Sequence, residues 1–357
     1  MRVVLREVVP TVVRVIDVPA AIMLDDLHHV LQIAVGWTSS HLHQFHTDAS
    51  TYGIANAEWE EDQLDERGVR LDDLPARFVY AYDFGDGWEH DIEVLGPGGE
   101  LPGCVDGEGA CPPEDCGGPY GYGHLLAALA DPRHPEHASM LEWVGDRLRP
   151  FDREATVLRV RWMVGEVPES VRLVLDLLAD GVKLTPAGRL PRAVVREVQA
   201  QRPAWYPLGG LAAFEEYLVP LARLHDMLRE VGLLRLAKGV LRPTKAAGDE
   251  LQVVRRLRTW FEPGEFGTMV AERAVALTVA RGSLRVADLA RDVFPLLGHG
   301  WGSPEGSLRP LDVERTLRVL SCELEALDLV EVTRSVWSPG PSARSLLPRA
   351  TLLADLV

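Results

Sequence analysis

Nine of the eleven histidines in this 357-residue chain lie before residue 150, and so do three of its four cysteines. His41, His43 and His90, with Asp83 and Asp86, are of types that hold a divalent metal or act as a general base. His41 and His43 are two residues apart, which places both rings on one face of a strand. His90 is expected on a neighbouring strand. The same stretch supports a second reading. Trp37, His41, His43, Phe45, Trp88 and His90 would form a polar-aromatic core in which the imidazoles bond to backbone and indole groups.

Cys104, Cys111 and Cys116 fall within thirteen residues of a segment dense in Gly and Pro. Three thiolates and one imidazole suit tetrahedral zinc, which can order such a loop. His124, His134, His137 or the His41/His43 pair would supply the fourth donor. The spacing lacks a paired C-x-x-C, so small buried thiols are the alternative. Glu114 and Asp115 are adjacent, and consecutive side chains diverge. Asp115 is therefore expected to cap a turn rather than to form a catalytic dyad. The chain has no Gly-rich phosphate loop, G-x-S-x-G or H-E-x-x-H, so no catalytic residue is assigned.

These side chains need elements to position them. Val3–Leu5 and Val12–Val18 read as strands, and Leu24 to Val35 as a helix with acidic residues in its first turn and Gly36 at its end. His41–His46 reads as a strand and Trp59–Asp73 as an acidic solvated loop. Arg77–Asp83 and Glu89–Leu95 are two more strands around the turn Phe84-Gly85-Asp86-Gly87. Gly96–Gly121 reads as an irregular loop, followed by short helices at Leu125–Ala130 and Met140–Val144. The fold class is α+β: an N-terminal mixed sheet with packed helices, then a mostly helical half.

In that second half, Ser170–Ala179 and Leu218–Val231 are helices. The latter runs into two short strands around Lys238-Gly239, the order expected of a winged helix. The pattern recurs with Val313–Leu327, Leu329–Val332 and Ser335–Trp337. The expected organisation is a domain at 1–152 and two winged-helix-like units at 168–248 and 265–357.

Charge divides the chain the same way. Residues 1–150 hold 9 Lys and Arg against 27 Asp and Glu, a balance of −18; the remainder balances at +2. The acidic half repels a phosphate backbone and is expected to contact a protein partner. Contact with duplex DNA, or docking of a protein, belongs to the second half. Its candidate DNA-binding residues are Arg235, Lys238, Arg242 and Lys245 on the first wing, and Arg315 and Arg318 on the last long helix. No uncharged run reaches the length of a membrane span, and the first residues lack a signal-peptide pattern. With four cysteines the chain is not a disulfide scaffold, so a cytoplasmic protein is expected.

Four motifs in order carry a resemblance: Gly36-Trp37-Thr38-Ser39-Ser40-His41-Leu42-His43-Gln44-Phe45, Tyr82-Asp83-Phe84-Gly85-Asp86-Gly87-Trp88-Glu89-His90, the Cys111 to Tyr122 segment, and Asp131-Pro132-Arg133-His134-Pro135-Glu136-His137. Over roughly residues 2–152 the chain resembles the plasmid pRiA4b ORF-3-like family, which has no characterised activity. Some members are labelled passenger proteins of insertion elements with a resolvase-like (TnpR-like) name, so the resemblance implies a link to mobile DNA. Val13-Arg14-Val15 stands where the family usually has Trp-Arg-Arg.

The function expected from all this is a non-enzymatic adaptor or regulator linked to mobile DNA. The alternative is a metal-dependent enzyme, such as a hydrolase, built on the His/Asp cluster. Zinc in the Cys segment is compatible with the first.

Overall fold

The structure, a computed structural model, describes residues 1–54, 63–206, 208–262, 264–297, 302–303 and 306–354. Trp59 to Asp62, part of the expected acidic loop, lie outside the described residues. Two compact units divide the chain, Met1–Val164 and Gly165–Val357. No helix among the described residues is long and apolar enough to cross a membrane.

The first unit is built on an eight-stranded mixed sheet. Its strands are β1 (Arg2–Leu5), β2 (Val12–Asp17), β3 (His43–His46), β4 (Thr51–Gly53), β5 (Gln63–Asp65), β6 (Arg77–Tyr82), β7 (Trp88–Glu93) and β8 (Gly103–Glu108), in the order β5-β4-β3-β6-β7-β1-β2-β8. Only the β4–β5 pairing is parallel. Period-two alternation turns Phe78, Tyr80 and Tyr82 of β6, and Trp88, His90 and Ile92 of β7, into the core, while Glu89 and Asp91 face solvent. Helix α1 (Leu24–Val35) buries Leu24, Leu27, His28 and Leu31, and ends at Gly36 in the left-handed region at φ 112. Helices α2 (Gly118–Ala130), α3 (His137–Val144) and α4 (Arg153–Val164) complete the unit, with α4 packed on α1 and β8.

Two local readings change. The segment 96–121 is not an irregular loop throughout, because β8 runs through it and Cys104 pairs opposite Ile16. Its glycines and acids hide the strand: β8 hydrogen-bonds to β2 alone at the sheet edge and buries only its first two residues. The expected strand from His41 begins at His43, since the chain bends at Ser39, which has φ 57. Arg14, in the run that departs from the family, is 2% exposed, and its guanidinium lies 4.1 Å over the Phe151 ring.

The second unit repeats one plan. Helix α5 (Glu169–Leu177), β9 (Val182–Lys183), α6 (Arg192–Gln201), α7 (Val219–Glu230), β10 (Leu234–Ala237) and β11 (Val240–Pro243) form the first pass, with a three-stranded antiparallel sheet β10-β11-β9. After α8 (Glu250–Arg258), the second pass comprises α9 (Phe266–Arg281), β12 (Leu284–Arg285), α10 (Val286–Val293), the small pair β13 (Gly302–Ser303) and β14 (Gly306–Ser307), α11 (Pro310–Ala326), β15 (Val330–Thr333) and β16 (Val336–Pro339), with the sheet β12-β16-β15; α12 (Pro348–Leu353) follows. The two hairpins lie 96 residues apart, Leu234 matching Val330 and Val240 matching Val336. Both turn through two residues of positive φ, Lys238-Gly239 and Arg334-Ser335. One apolar core runs through both passes, from Val171 and Leu224 to Leu317 and Trp337, and α7 packs against α11.

Candidate functional site

Three of the nine imidazoles of the first unit, His28, His43 and His90, belong to its core. His28 Nδ1 is 2.7 Å from the Tyr80 hydroxyl and its Nε2 is 2.8 Å from Ser39 Oγ. Burial, then the neighbouring His43 and His29, hold His28 well below the usual histidine range. His43 stacks on His28 and meets Glu66 at 2.9 Å, with both partners buried. His90 faces the Tyr80 carbonyl at 3.2 Å, and burial pushes its pKa down to about 4. His41, His43 and His90 therefore do not form one metal site. The polar-aromatic core is the arrangement seen, enlarged by His28, Tyr80 and Tyr82. Glu66 was hidden in the sequence, where it sits in an acidic run with nothing to mark it as buried.

His41 takes a different path from His43. Preceding β3, it is free of the strand's alternation and meets Tyr82 edge-on, ring centroids 5.8 Å apart. Three loops lock together there. Glu114 accepts hydrogen bonds from the Tyr82 hydroxyl at 2.5 Å and from Thr38 through N at 3.0 Å and Oγ1 at 2.6 Å. Asp86 accepts from Gly117 N at 3.0 Å. The network fixes the backbone on both sides of Asp115, whose Oδ1 lies 3.2 Å from His41 Nε2; Asp83 Oδ2 lies 3.6 Å from the same nitrogen. So Glu114 accepts the Thr38 N–H of another loop, the N–H of Gly117 in the turn goes to Asp86, and Asp115 faces an imidazole. Each of these three residues comes from a different sequence motif, and only the fold shows that they meet.

The cysteines do not gather around a histidine. Among the described residues, the groups of three or more converging metal-ligating side chains are His41/Asp83/Asp115 and His124/His134/Glu136, and neither contains sulfur. Cys104 is buried on β8, where its thiol contacts the Asp106 carbonyl at 3.4 Å. Burial raises the Cys104 and Cys111 thiols and pushes Cys116 up to about 12. That is the behaviour of thiols packed as small apolar groups. In the second trio His124 meets Glu136 at 2.7 Å.

In the second unit, the wing residues Arg235, Lys238, Arg242 and Lys245 are all exposed. Arg235 and Arg242 sit directly opposite each other on β10 and β11. Lys183, opposite Val240 on β9, shares their face of the sheet by alternation. A two-residue strand far upstream gives no sequence signal, and Lys183 takes its place here only through the sheet register. The cations of the last long helix are placed differently. Arg318 pairs with Glu314 at 2.6 Å and Arg315 with Asp312 at 3.5 Å, both along α11 itself. A buried pair also went unread: Glu215 Oε1 and His225 Nδ1 at 2.7 Å inside the core.

Comparison with known proteins accounts for the first unit. The family described as plasmid pRiA4b ORF-3-like protein matches residues 1–159. An uncharacterized protein, y4hQ, of Sinorhizobium fredii strain NGR234 is 46% identical over 154 residues, covering 41% of this chain and 79% of the relative. A crystal structure of a protein of unknown function from Methanosarcina mazei Go1 is 28% identical, covering 43% of this chain and 94% of that one, with a TM-score of 0.39. With the four motifs folded into one sheet-and-loop unit and nearly four-fifths of the relative covered at this identity, the chain belongs to the plasmid pRiA4b ORF-3-like family.

Proposed function

We propose that this protein is a DNA-binding regulator or adaptor whose second unit is a tandem winged helix that grips the duplex backbone with its first wing. The observation that carries the reading is the Arg235–Arg242 pair. Like charges directly opposite on a hairpin destabilise it, by up to about 1 kcal/mol. Neither arginine has a carboxylate partner among the described residues. A polyanion laid across β10 and β11 would supply the missing charge, and Lys183, Lys238 and Lys245 widen the same surface.

The second wing makes the contrast. At the positions 96 residues on, Glu331 replaces Arg235 and Ser338 replaces Arg242. Arg285, which matches Lys183 by its pairing with Val336, is tied to Asp288 at 2.8 Å. The reading therefore assigns DNA contact to one wing only and leaves out Arg315 and Arg318. Helix α7, in the recognition-helix position, lies against α11, and its Asp226 is bound to Arg189 at 3.3 Å. This favours phosphate contacts over base reading. The first unit, with a formal charge of −17, contributes nothing to DNA affinity and is left to contact a basic protein partner.

The test is fluorescence anisotropy of the full chain with a labelled duplex between about 50 and 200 mM salt. Binding should weaken steeply with salt and depend little on sequence. The R235A/R242A double variant should bind more weakly, with a salt slope shallower by about 2, since each lost phosphate contact removes about 0.9. Absence of binding at the lowest salt, or a double variant indistinguishable from wild type, overturns the proposal.

A further inference from the structure

We propose that His41 Nε2, Asp83 Oδ2 and Asp115 Oδ1 form a binding site for a zinc-class divalent cation. The three atoms lie within 4.8 Å of one another. Two ligands about 2.1 Å from a tetrahedral metal sit about 3.4 Å apart. The observed separations from Nε2, 3.2 Å and 3.6 Å, fall on either side of that value.

Polar atoms left without partners point the same way. His41 Nε2 is buried and makes no hydrogen bond, although Asp115 Oδ1 lies 3.2 Å and Asp83 Oδ2 3.6 Å away. Asp83 is 8% exposed; its Oδ1 accepts from Gly85 N and Asp86 N, whereas Oδ2 takes no donor among the described residues and faces His41. A ring nitrogen buried without a partner, beside a carboxylate oxygen that takes no donor among the described residues, would have both needs met by a cation between them.

One imidazole and two carboxylates are N/O donors of the kind zinc accepts, and their formal charge of −2 matches a dication. The acidic field of the whole unit adds to the attraction. Donors are held by the Glu114 network rather than by the metal, so the site is preformed. Asp115 is 69% exposed, which leaves the fourth coordination position on the solvent side. Three protein ligands with one open position is the pattern of a site that can bind a further ligand or polarise water, rather than one closed for structure alone.

The experiment is calorimetric titration of chelator-treated full chain with zinc chloride, followed by Co²⁺ absorption spectra as a probe of geometry. One equivalent should bind, with visible bands of a four-coordinate N/O site and no sulfur charge-transfer band. D115N changes an exposed side chain and keeps its shape; D115N and H41Q should each lower affinity at least tenfold, as loss of a ligand must. H124A/H134A, which removes the second trio, should leave it unchanged. Melting curves of the metal-free variants, matched to wild type, show that they fold. No binding, a sulfur band, a loss under tenfold in D115N or H41Q, or loss through H124A/H134A overturns the assignment.

Discussion

The imidazole of His28 lies flat on that of His43, with ring centroids 3.5 Å apart and planes 8° from parallel. Burial disfavours the charged form of His28, as it does at the His90 position. In both His28 and His90, burial lowers the folded-state pKa, so the unfolded chain binds more protons below about pH 6.5. Stability of the first unit should therefore fall as pH drops through about 6.5. For His90 the loss continues to about pH 4, where it reaches about 3 kcal/mol. Urea unfolding between pH 7.5 and 4.5 measures it. H90N keeps a donor toward the Tyr80 carbonyl without titrating, and its profile should be flatter by that amount; an equal slope would refute the assignment.

Arg14 should resist its conservative replacement. Its guanidinium donates to the carbonyls of Ala34 at 2.9 Å, Val13 at 2.7 Å, Glu108 at 2.7 Å and Gly109 at 3.1 Å. These four acceptors tie β2 to the end of α1 and to the end of β8. A lysine ammonium has three donors and no planar fork. R14K is expected to destabilise the first unit by about 2–4 kcal/mol through unsatisfied buried carbonyls. Denaturant titration at pH 7 checks this, and a loss below about 1 kcal/mol would show that the carbonyls find other partners.

The two passes of the second unit are pinned together by Asp328. It sits in the left-handed region at φ 56 where the first pass has Gly232, and it is 4% exposed. Its carboxylate takes Arg202 at 2.8 and 3.1 Å and Ser170 N at 2.9 Å. D328G would relieve backbone strain of about 1 kcal/mol but break a largely buried pair worth about 3. The expected net effect is a loss of about 2 kcal/mol, with unfolding of the unit still in one transition because the core is continuous. A gain in stability would mean that strain dominates.

All four thiols should be slow. Burial raises Cys104, Cys111, Cys116 and Cys322 above the ordinary cysteine range, so the thiolate is scarce at neutral pH. Reaction with a disulfide reagent at pH 7.5 should be at least tenfold slower in the folded chain than in urea. Rapid modification of any one of them would contradict the packing.

What the sequence disclosed followed from periodicity. Trp88 to Ile92 alternate buried and exposed because one face of β7 covers the core, Phe78 to Tyr82 carry an aromatic ring at every second position although Ala81 between them is buried too, and α1 shows its stripe because one face is buried. The hairpin after α7 was visible from its turn residues. Other features had no local signature. β8 lies at an edge and carries glycines and acids. Glu66 is buried only because His43 reaches it. Asp115 gains its meaning from His41, more than seventy positions away, across a contact that no spacing rule encodes. His41 and His43 parted because the strand starts two residues late, and one such shift reassigns a side chain to another environment.

The matched hairpins also hand the experimenter a control written by the chain itself. Backbone torsions at the turns agree in sign while the charges at the strand positions Arg235/Glu331 and Arg242/Ser338 do not, so shape and strand charge have been varied separately within one molecule. Exchanging Arg235 and Arg242 for Glu and Ser copies the second wing into the first; placing Arg at 331 and 338 does the reverse. If the proposed function is right, affinity for duplex should travel with these four side chains, and the scaffold that carries them should not notice.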